Sequence, residues 1–151
     1  MADQHQYCTF FLDGYYFGID VLRVQEVVRY RQITRAPLAH PVVRGLINLR
    51  GQIVTALDLR RRLALPDAPA GARPINVVIH TDDGPLSLLV DEIGDVLTVP
   101  ETAFVAPPET LRGQAREVIC GAYKLERRLL LILSVDAVLS ITASPGVRPS
   151  T

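Results

Sequence analysis

Val43-Arg44-Gly45-Leu46-Ile47-Asn48-Leu49-Arg50-Gly51-Gln52-Ile53-Val54-Thr55-Ala56-Leu57-Asp58-Leu59-Arg60-Arg61-Arg62-Leu63 is the stretch that organises the chain. Gly45–Leu49 reads as a short apolar strand. Arg50-Gly51 reverses the chain, because glycine reaches positive φ without a Cβ clash. Ile53–Leu57 is the return strand. Asp58 is placed to cap a helical turn on which Leu59 and Leu63 share one face. The unit is strand, tight turn, strand, capped helix.

The unit recurs at Ile119–Leu139. Gly45 falls on Gly121, an offset of 121 − 45 = 76, with no gap over the whole stretch. At that offset Leu49 meets Leu125, Leu57 meets Leu133 and Leu63 meets Leu139. Apolar strands resemble one another by chance. The matched glycine, turn and cap (Asp58 with Ser134) carry more weight. Upstream, Phe17–Val28 resembles Leu86–Leu97 at an offset of 95 − 26 = 69, and an Asp-Gly turn precedes each: Asp13-Gly14 and Asp83-Gly84. The reading is two copies of one β-rich module, at about 6–65 and 75–142, within a domain spanning 6–142. Pro66–Pro74 joins them; its prolines and small residues cannot pack a core. Residues 1–5 and 143–151 read as flexible ends.

Other segments follow from turn chemistry and residue type. Tyr7–Leu12 and Tyr15–Ile19 are strands about Asp13-Gly14. Asp20–Tyr30 is a bent strand with a brief helical turn around Val21–Val24, since β-branched residues dominate it and periodicity alone does not decide. Gln32–Pro41 reads as a loop. Ile75–His80 is a buried strand. Leu86–Ile93 and Asp95–Val99 read as two strands broken at Gly94. Pro100–Glu117 reads mostly as loop. Many short strands with Gly and Asp turns indicate an all-β architecture of small barrels or a sandwich. Two equivalent modules leave a cleft at their junction, a frequent binding place.

The 151-residue chain carries 16 basic and 16 acidic side chains, a formal net charge of zero. That argues against a dedicated nucleic-acid or anionic-membrane binder. No apolar run approaches the roughly 20 residues of a membrane helix, and the N-terminus shows no secretory pattern. The two cysteines, Cys8 and Cys120, stand in apolar contexts without metal spacing. Cys120 reads as packed rather than reactive, and the two fit a reducing cytoplasm. His5, His40 and His80 are isolated. Asp82-Asp83 sits on a turn, and Asp91-Glu92 reads as strand neighbours facing opposite ways. No catalytic, cofactor or metal residues are expected. Arg60-Arg61-Arg62 reads as a solvated face near a helix C-terminus, with contact to an acidic partner as the alternative. Glu26 and Arg50 each interrupt an apolar setting. They read either as a carboxylate–guanidinium fork with a function or as an ordinary surface pair. Their counterparts, Asp95 and Glu126, are both acidic.

Tyr16-Phe17-Gly18-Ile19-Asp20-Val21-Leu22-Arg23-Val24-Gln25-Glu26-Val27, Val43–Val54 with its Asn-Leu-Arg-Gly, and Leu57-Asp58-Leu59 resemble the signature of the CheW family. Leu89–Leu97 and Ile119–Leu139 match that family's second half, so the likeness covers about Gln6 to Ile141. The resemblance implies two SH3-like β-barrels and a non-enzymatic adaptor of chemosensory arrays. It implies coupling of methyl-accepting receptors to the histidine kinase CheA, through that kinase's regulatory domain. The receptor-binding groove carries over to Val24, Glu26 and Arg50, and kinase contact to Arg44 and Gly45. It also implies a cytoplasmic protein at receptor arrays, with no cofactor, nucleic acid or membrane insertion. A glycine at 45 would let a neighbouring backbone approach. A CheW-like coupler of surface motility or another output, a small-barrel nucleic-acid binder and an enzyme using the cleft are the alternatives. The nucleic-acid reading needs a basic face with aromatic platforms.

Overall fold

The computed structural model describes residues 4–35, 39–100, 104–106 and 113–140. Asp13-Gly14, both at positive φ, join β1 (Gln4–Leu12) to β2 (Tyr15–Asp20). A 3-10 turn at Val21–Arg23 follows, capped by the Asp20 carboxylate, and leads into β3 (Val24–Val28). This is the helical turn and bent strand expected there. β4 (Val43–Leu49) and β5 (Gln52–Asp58) form the hairpin about Arg50-Gly51, and Asp58 caps α1 (Leu59–Arg62) by accepting from the Arg61 N–H. β6 (Ile75–Thr81) turns into β7 (Gly84–Val90). Next come β8 (Glu92–Pro100), β9 (Phe104–Val105) and α2 (Gly113–Val118). The second unit closes the chain: β10 (Ile119–Lys124), β11 (Leu129–Leu133) and α3 (Val135–Leu139), which Ser134 caps from the Ala137 N–H.

Several expectations change. β1 begins at Gln4, and His5 pairs with Val99, so residues 4 and 5 are strand rather than a frayed end. Residues 1–3 and 141–151 lie outside the described residues. The break after β7 falls at Asp91, and β8 runs through Gly94. Gly94 and Asp95 together oppose Thr9, so the glycine marks a β-bulge, not a strand end. A side chain there would meet Thr9 Oγ1 and the Tyr16 ring. The 100–117 stretch holds β9 and most of α2; 101–103 and 107–112 lie outside the described residues. Within 32–41, Thr34 makes a β-bridge to Leu46.

The strands form two sheets, ordered β8-β1-β2-β11-β10-β9 and β3-β6-β7-β5-β4. The second is built wholly from residues 24–90, here called the central barrel. The first takes β1 and β2 from the start of the chain and β8 to β11 from its end, and is called the terminal barrel. Their layouts correspond strand for strand. In each, a hairpin pairs in parallel with the return strand of the repeated unit: β2 with β11, and β7 with β5. In each, the segment after an edge strand reaches the opposite edge: Thr34, after β3, lies on β4, and β9, after β8, lies on β10.

The two barrels therefore share one layout, each completed by a hairpin from the other sequence copy. The chain crosses between barrels at Val21–Arg23 and at Asp91, while Pro66–Pro74 starts and ends within the central barrel. The expected module boundaries at 65 and 75 do not coincide with the boundary between the sheets. Strand periodicity records which face is buried, not which sheet a hairpin joins.

Three apolar clusters follow this plan. The central barrel is filled by Val28, Ile47, Leu49, Val54, Ala56, Val78 and Leu89. The terminal barrel is filled by Tyr7, Val99, Tyr123, Leu130 and Ile132. Ile47, Val54 and Ala56 correspond to Tyr123, Leu130 and Ile132 at the offset of 76. The largest cluster lies between the barrels and draws on both, with Phe10, Phe17 and Ile19 meeting Leu57, Leu59 and Ile79, and Val118 and Leu133. Burying one such side chain contributes about 1.5–3 kcal/mol, so the shared core binds the barrels into one unit.

Candidate partner-binding site

Val24 opens β3 directly after the crossover and packs, half-buried, on the shared core. Glu26 lies two residues on, opposite Val78. Arg50 takes φ of 51° at the tip of the β4–β5 turn. That geometry carries its guanidinium back across the central barrel, where Nη2 donates to Glu26 Oε2. The Arg50 hydrogen bond holds the Glu26 carboxyl below its usual range, and Glu26 pushes Arg50 up. The structure thus brings Glu26 and Arg50 together, as one sequence reading expected. Large apolar side chains stand exposed on neighbouring segments: Leu22 (82%), Ile53 (63%) and Val27. Sequence reasoning missed these, because an apolar residue in a strand pattern reads as buried.

A furrow between the barrels opens beside the crossover. It is an open depression of about 490 Å³. Arg23, His80, Asp82 and Asp136 are among its lining residues. Arg23 spans it, donating to Asp136 Oδ1 at 3.1 Å and to the His80 carbonyl at 3.3 Å.

Arg44 and Gly45 sit on β4, also in the central barrel. Arg44 is the extra residue of a bulge, since Val43 pairs with Leu57 and Gly45 with Ala56. Its Nη1 reaches Asp58 Oδ2 at 3.4 Å. Cys120 holds the equivalent bulge position on β10, which explains why a residue expected to be packed is exposed. Its thiol lies 3.6 Å from the Ile132 carbonyl.

The close approach at Gly45 is internal. The residue has φ of 156°, and a Cβ there would strike the Thr34 carbonyl and the Ile33 side chain. Leu46 N–H donates to Thr34 O at 2.7 Å, and Thr34 N–H to Leu46 O at 2.8 Å. Gly121 repeats the arrangement under the Phe104 ring. Both glycines let a barrel-closing segment lie across the hairpin, so the first neighbouring backbone that Gly45 admits is the chain's own.

The arginine run is not one solvated face. Arg60 grips Asp91 with Nε (3.0 Å) and Nη2 (2.6 Å), and bonds the Pro66 carbonyl. Asp91 also accepts from the Asp13 N–H at 2.9 Å. Burial raises the pKa of Asp91, but Arg60 and that N–H outweigh it and hold the carboxyl below its usual range. Asp91 is therefore a clasp at the second crossover, not one of two strand residues facing opposite ways. Arg61 pairs with Asp58 and Asp67. Arg62 is buried.

His40 Nδ1 accepts from the Val42 N–H, a local structural contact. Among the described residues no cluster of three or more His, Cys, Asp or Glu is arranged to hold a metal. Nor, among them, is any helix long and apolar enough to cross a membrane.

A family model described as a CheW-like domain matches residues 6–143. The chemotaxis protein CheW of Bacillus subtilis is 33% identical over 141 residues, covering 93% of this chain and 90% of that protein. The chemotaxis protein CheW of Klebsiella aerogenes is 30% identical over 135 residues, covering 89% and 81%. The crystal structure of the scaffolding protein TtCheW from Thermoanaerobacter tengcongensis superposes with a TM-score of 0.80 at 23% identity, covering 95% of this chain and 97% of that one. That last likeness speaks to fold alone. The paired barrels, the hairpin carrying Asn48-Leu49-Arg50-Gly51 and the matched residues together make this chain a member of the CheW family.

Proposed function

We infer that the chain is a non-catalytic chemotaxis adaptor that holds the cytoplasmic tips of methyl-accepting receptors and the regulatory domain of the kinase CheA in one assembly. Such a protein works in the cytoplasm, at receptor arrays. The observation that carries the reading is the Glu26–Arg50 pair. It joins two elements of the central barrel, β3 just after Val24 and the β4–β5 turn, whose flanking segments carry exposed Leu22 and Ile53. A receptor tip is a helical hairpin, and an apolar surface framed by a fixed ion pair suits the apolar face of a helix. Val24 supplies apolar contact, while Glu26 and Arg50 hold one another and shape the wall. Arg44 and Gly45 lie on a different strand of the same barrel. A kinase domain seated over exposed Arg44, with Gly45 buried beneath Thr34, leaves the Val24 side open, as a coupler requires.

The test is retention of a receptor-tip fragment by the wild type and by Arg50→Ala. Loss of retention with an unchanged denaturation midpoint supports the reading. Unchanged retention rejects the role of the pair.

A further inference from the structure

Arg62 has no part in either proposed partner contact. It ends α1 in the central barrel and is 6% exposed. Among the described residues no carboxylate lies within salt-bridge distance of it. Its guanidinium reaches instead into the terminal barrel. Nε donates to the Val138 carbonyl at 2.8 Å and Nη2 to the Ala137 carbonyl at 2.8 Å. These are last-turn carbonyls of α3; the Ala137 carbonyl also accepts from the Ser140 N–H and hydroxyl, while the Val138 carbonyl is one that a helix end leaves without an intrahelical partner. At the repeat offset, 138 − 62 = 76, Arg62 coincides with Val138. A buried cation thus bonds the backbone of its own counterpart in the other barrel.

The two crossovers flank this contact. Arg60 of α1 holds Asp91, and Asp136 of α3 holds Arg23. Arg60 and Asp136 are again equivalent positions, 136 − 60 = 76, with their charges inverted. The apolar core between the barrels is non-directional and tolerates small rotations. A guanidinium is planar, with N–H donors in a fixed fork, and two bonds from one fork fix an angle as well as a distance.

We propose that Arg62 is a positioning residue that sets the angle between the two barrels, and with it the shape of the furrow at their junction. The consequence for ligands rests on the adaptor reading. A receptor tip held at Val24, Glu26 and Arg50 on the central barrel reaches across the furrow that Arg23, next to Val24, lines; it then touches both barrels and senses the angle. A kinase regulatory domain seated at Arg44 and Gly45 touches the central barrel alone and does not.

The experiment uses full-length wild type, Arg62→Lys and Arg62→Met. Three quantities are measured: the barrel orientation from NMR residual dipolar couplings, the Kd for a receptor-tip hairpin fragment, and the Kd for the kinase regulatory domain. In wild type one alignment tensor fits both barrels. In Arg62→Met the barrels require separate orientations. Receptor-tip affinity then falls about tenfold or more, and kinase-domain affinity stays within about twofold. Arg62→Lys keeps the charge but loses the fork, and falls between the two. If Arg62→Met does not fold, the same comparison on Arg62→Lys decides. Wild-type barrel orientation in both variants, or equal loss of both affinities, overturns the proposal. If the wild type binds neither partner, the adaptor reading fails, and the dipolar couplings still judge the angle.

Discussion

Replacing Gly45 separates two explanations of that glycine. If it serves only a partner, small side chains are tolerated by the isolated protein. If it admits Thr34, the first added carbon is already too much. The structure favours a steep first step, since a Cβ at Gly45 would strike the Thr34 carbonyl itself, which is backbone and cannot rotate away. Two hydrogen bonds, Leu46 N–H to Thr34 O and Thr34 N–H to Leu46 O, stand to be lost. Each is worth about 0.5–1.5 kcal/mol net. Holding a non-glycine residue at φ of 156° adds strain of about 1–3 kcal/mol. The expected loss for Gly45→Ala is therefore about 2–6 kcal/mol, a large part of the roughly 5–15 kcal/mol that holds a domain folded. Gly45→Val adds little more, because the decisive atom is common to both. Urea denaturation of wild type, Ala and Val variants reads the steps, and hydrogen exchange at the Leu46 amide reports the bridge. A Gly45→Ala variant within about 0.5 kcal/mol of wild type, with Leu46 protection intact, refutes the reasoning.

Other consequences follow from the same geometry. Asp91 has a depressed pKa in the folded state, so its contribution is present above the unfolded value of about 3.9 and lost as pH falls through the folded one. The urea midpoint should therefore drop in acid below about pH 4, and Asp91→Asn should flatten that drop; an identical acid profile in the variant contradicts the clasp. Leu130 and Ile47 are 0% and 1% exposed in separate barrels, so Leu130→Ala and Ile47→Ala should each cost about 2–5 kcal/mol in denaturation. Values below about 1 kcal/mol would mean that one barrel is not a packed core. Tyr7 and Tyr123 share a buried hydroxyl contact at 3.2 Å. Tyr7→Phe alone should destabilise by about 1–3 kcal/mol, and the double Phe variant by less than the sum of the singles; strict additivity in the double-mutant cycle would show that the hydroxyls do not interact.

The repeated unit was legible because its signals are local. A glycine, a turn and a capping Asp or Ser each act within a few residues, and all recur at one offset. The Glu26–Arg50 pair was legible because each charge interrupts an apolar setting. The exchange of hairpins was not, because β1–β2 and β6–β7 have the same alternation whichever sheet they enter. Asp91 read as a strand residue for the same reason: nothing near it in sequence marks a crossover. Arg62 was hidden in a run of three arginines, where neighbours suggest a solvated surface. One signal was available, since Arg62 falls on Val138 at the repeat offset, a charge at a position whose twin is core. Gly45 was correctly tied to a close approach, but the approaching Thr34 sits in a stretch with no pattern of its own.

The adaptor reading requires one small protein to engage two larger ones through different surfaces at once. Its most direct test is the affinity of the chain for a receptor-tip hairpin, measured by calorimetry with and without saturating kinase regulatory domain. Binding is expected in both conditions, with a ternary complex of all three components on size exclusion. Mutual exclusion of the two partners, or no binding of either, would contradict it.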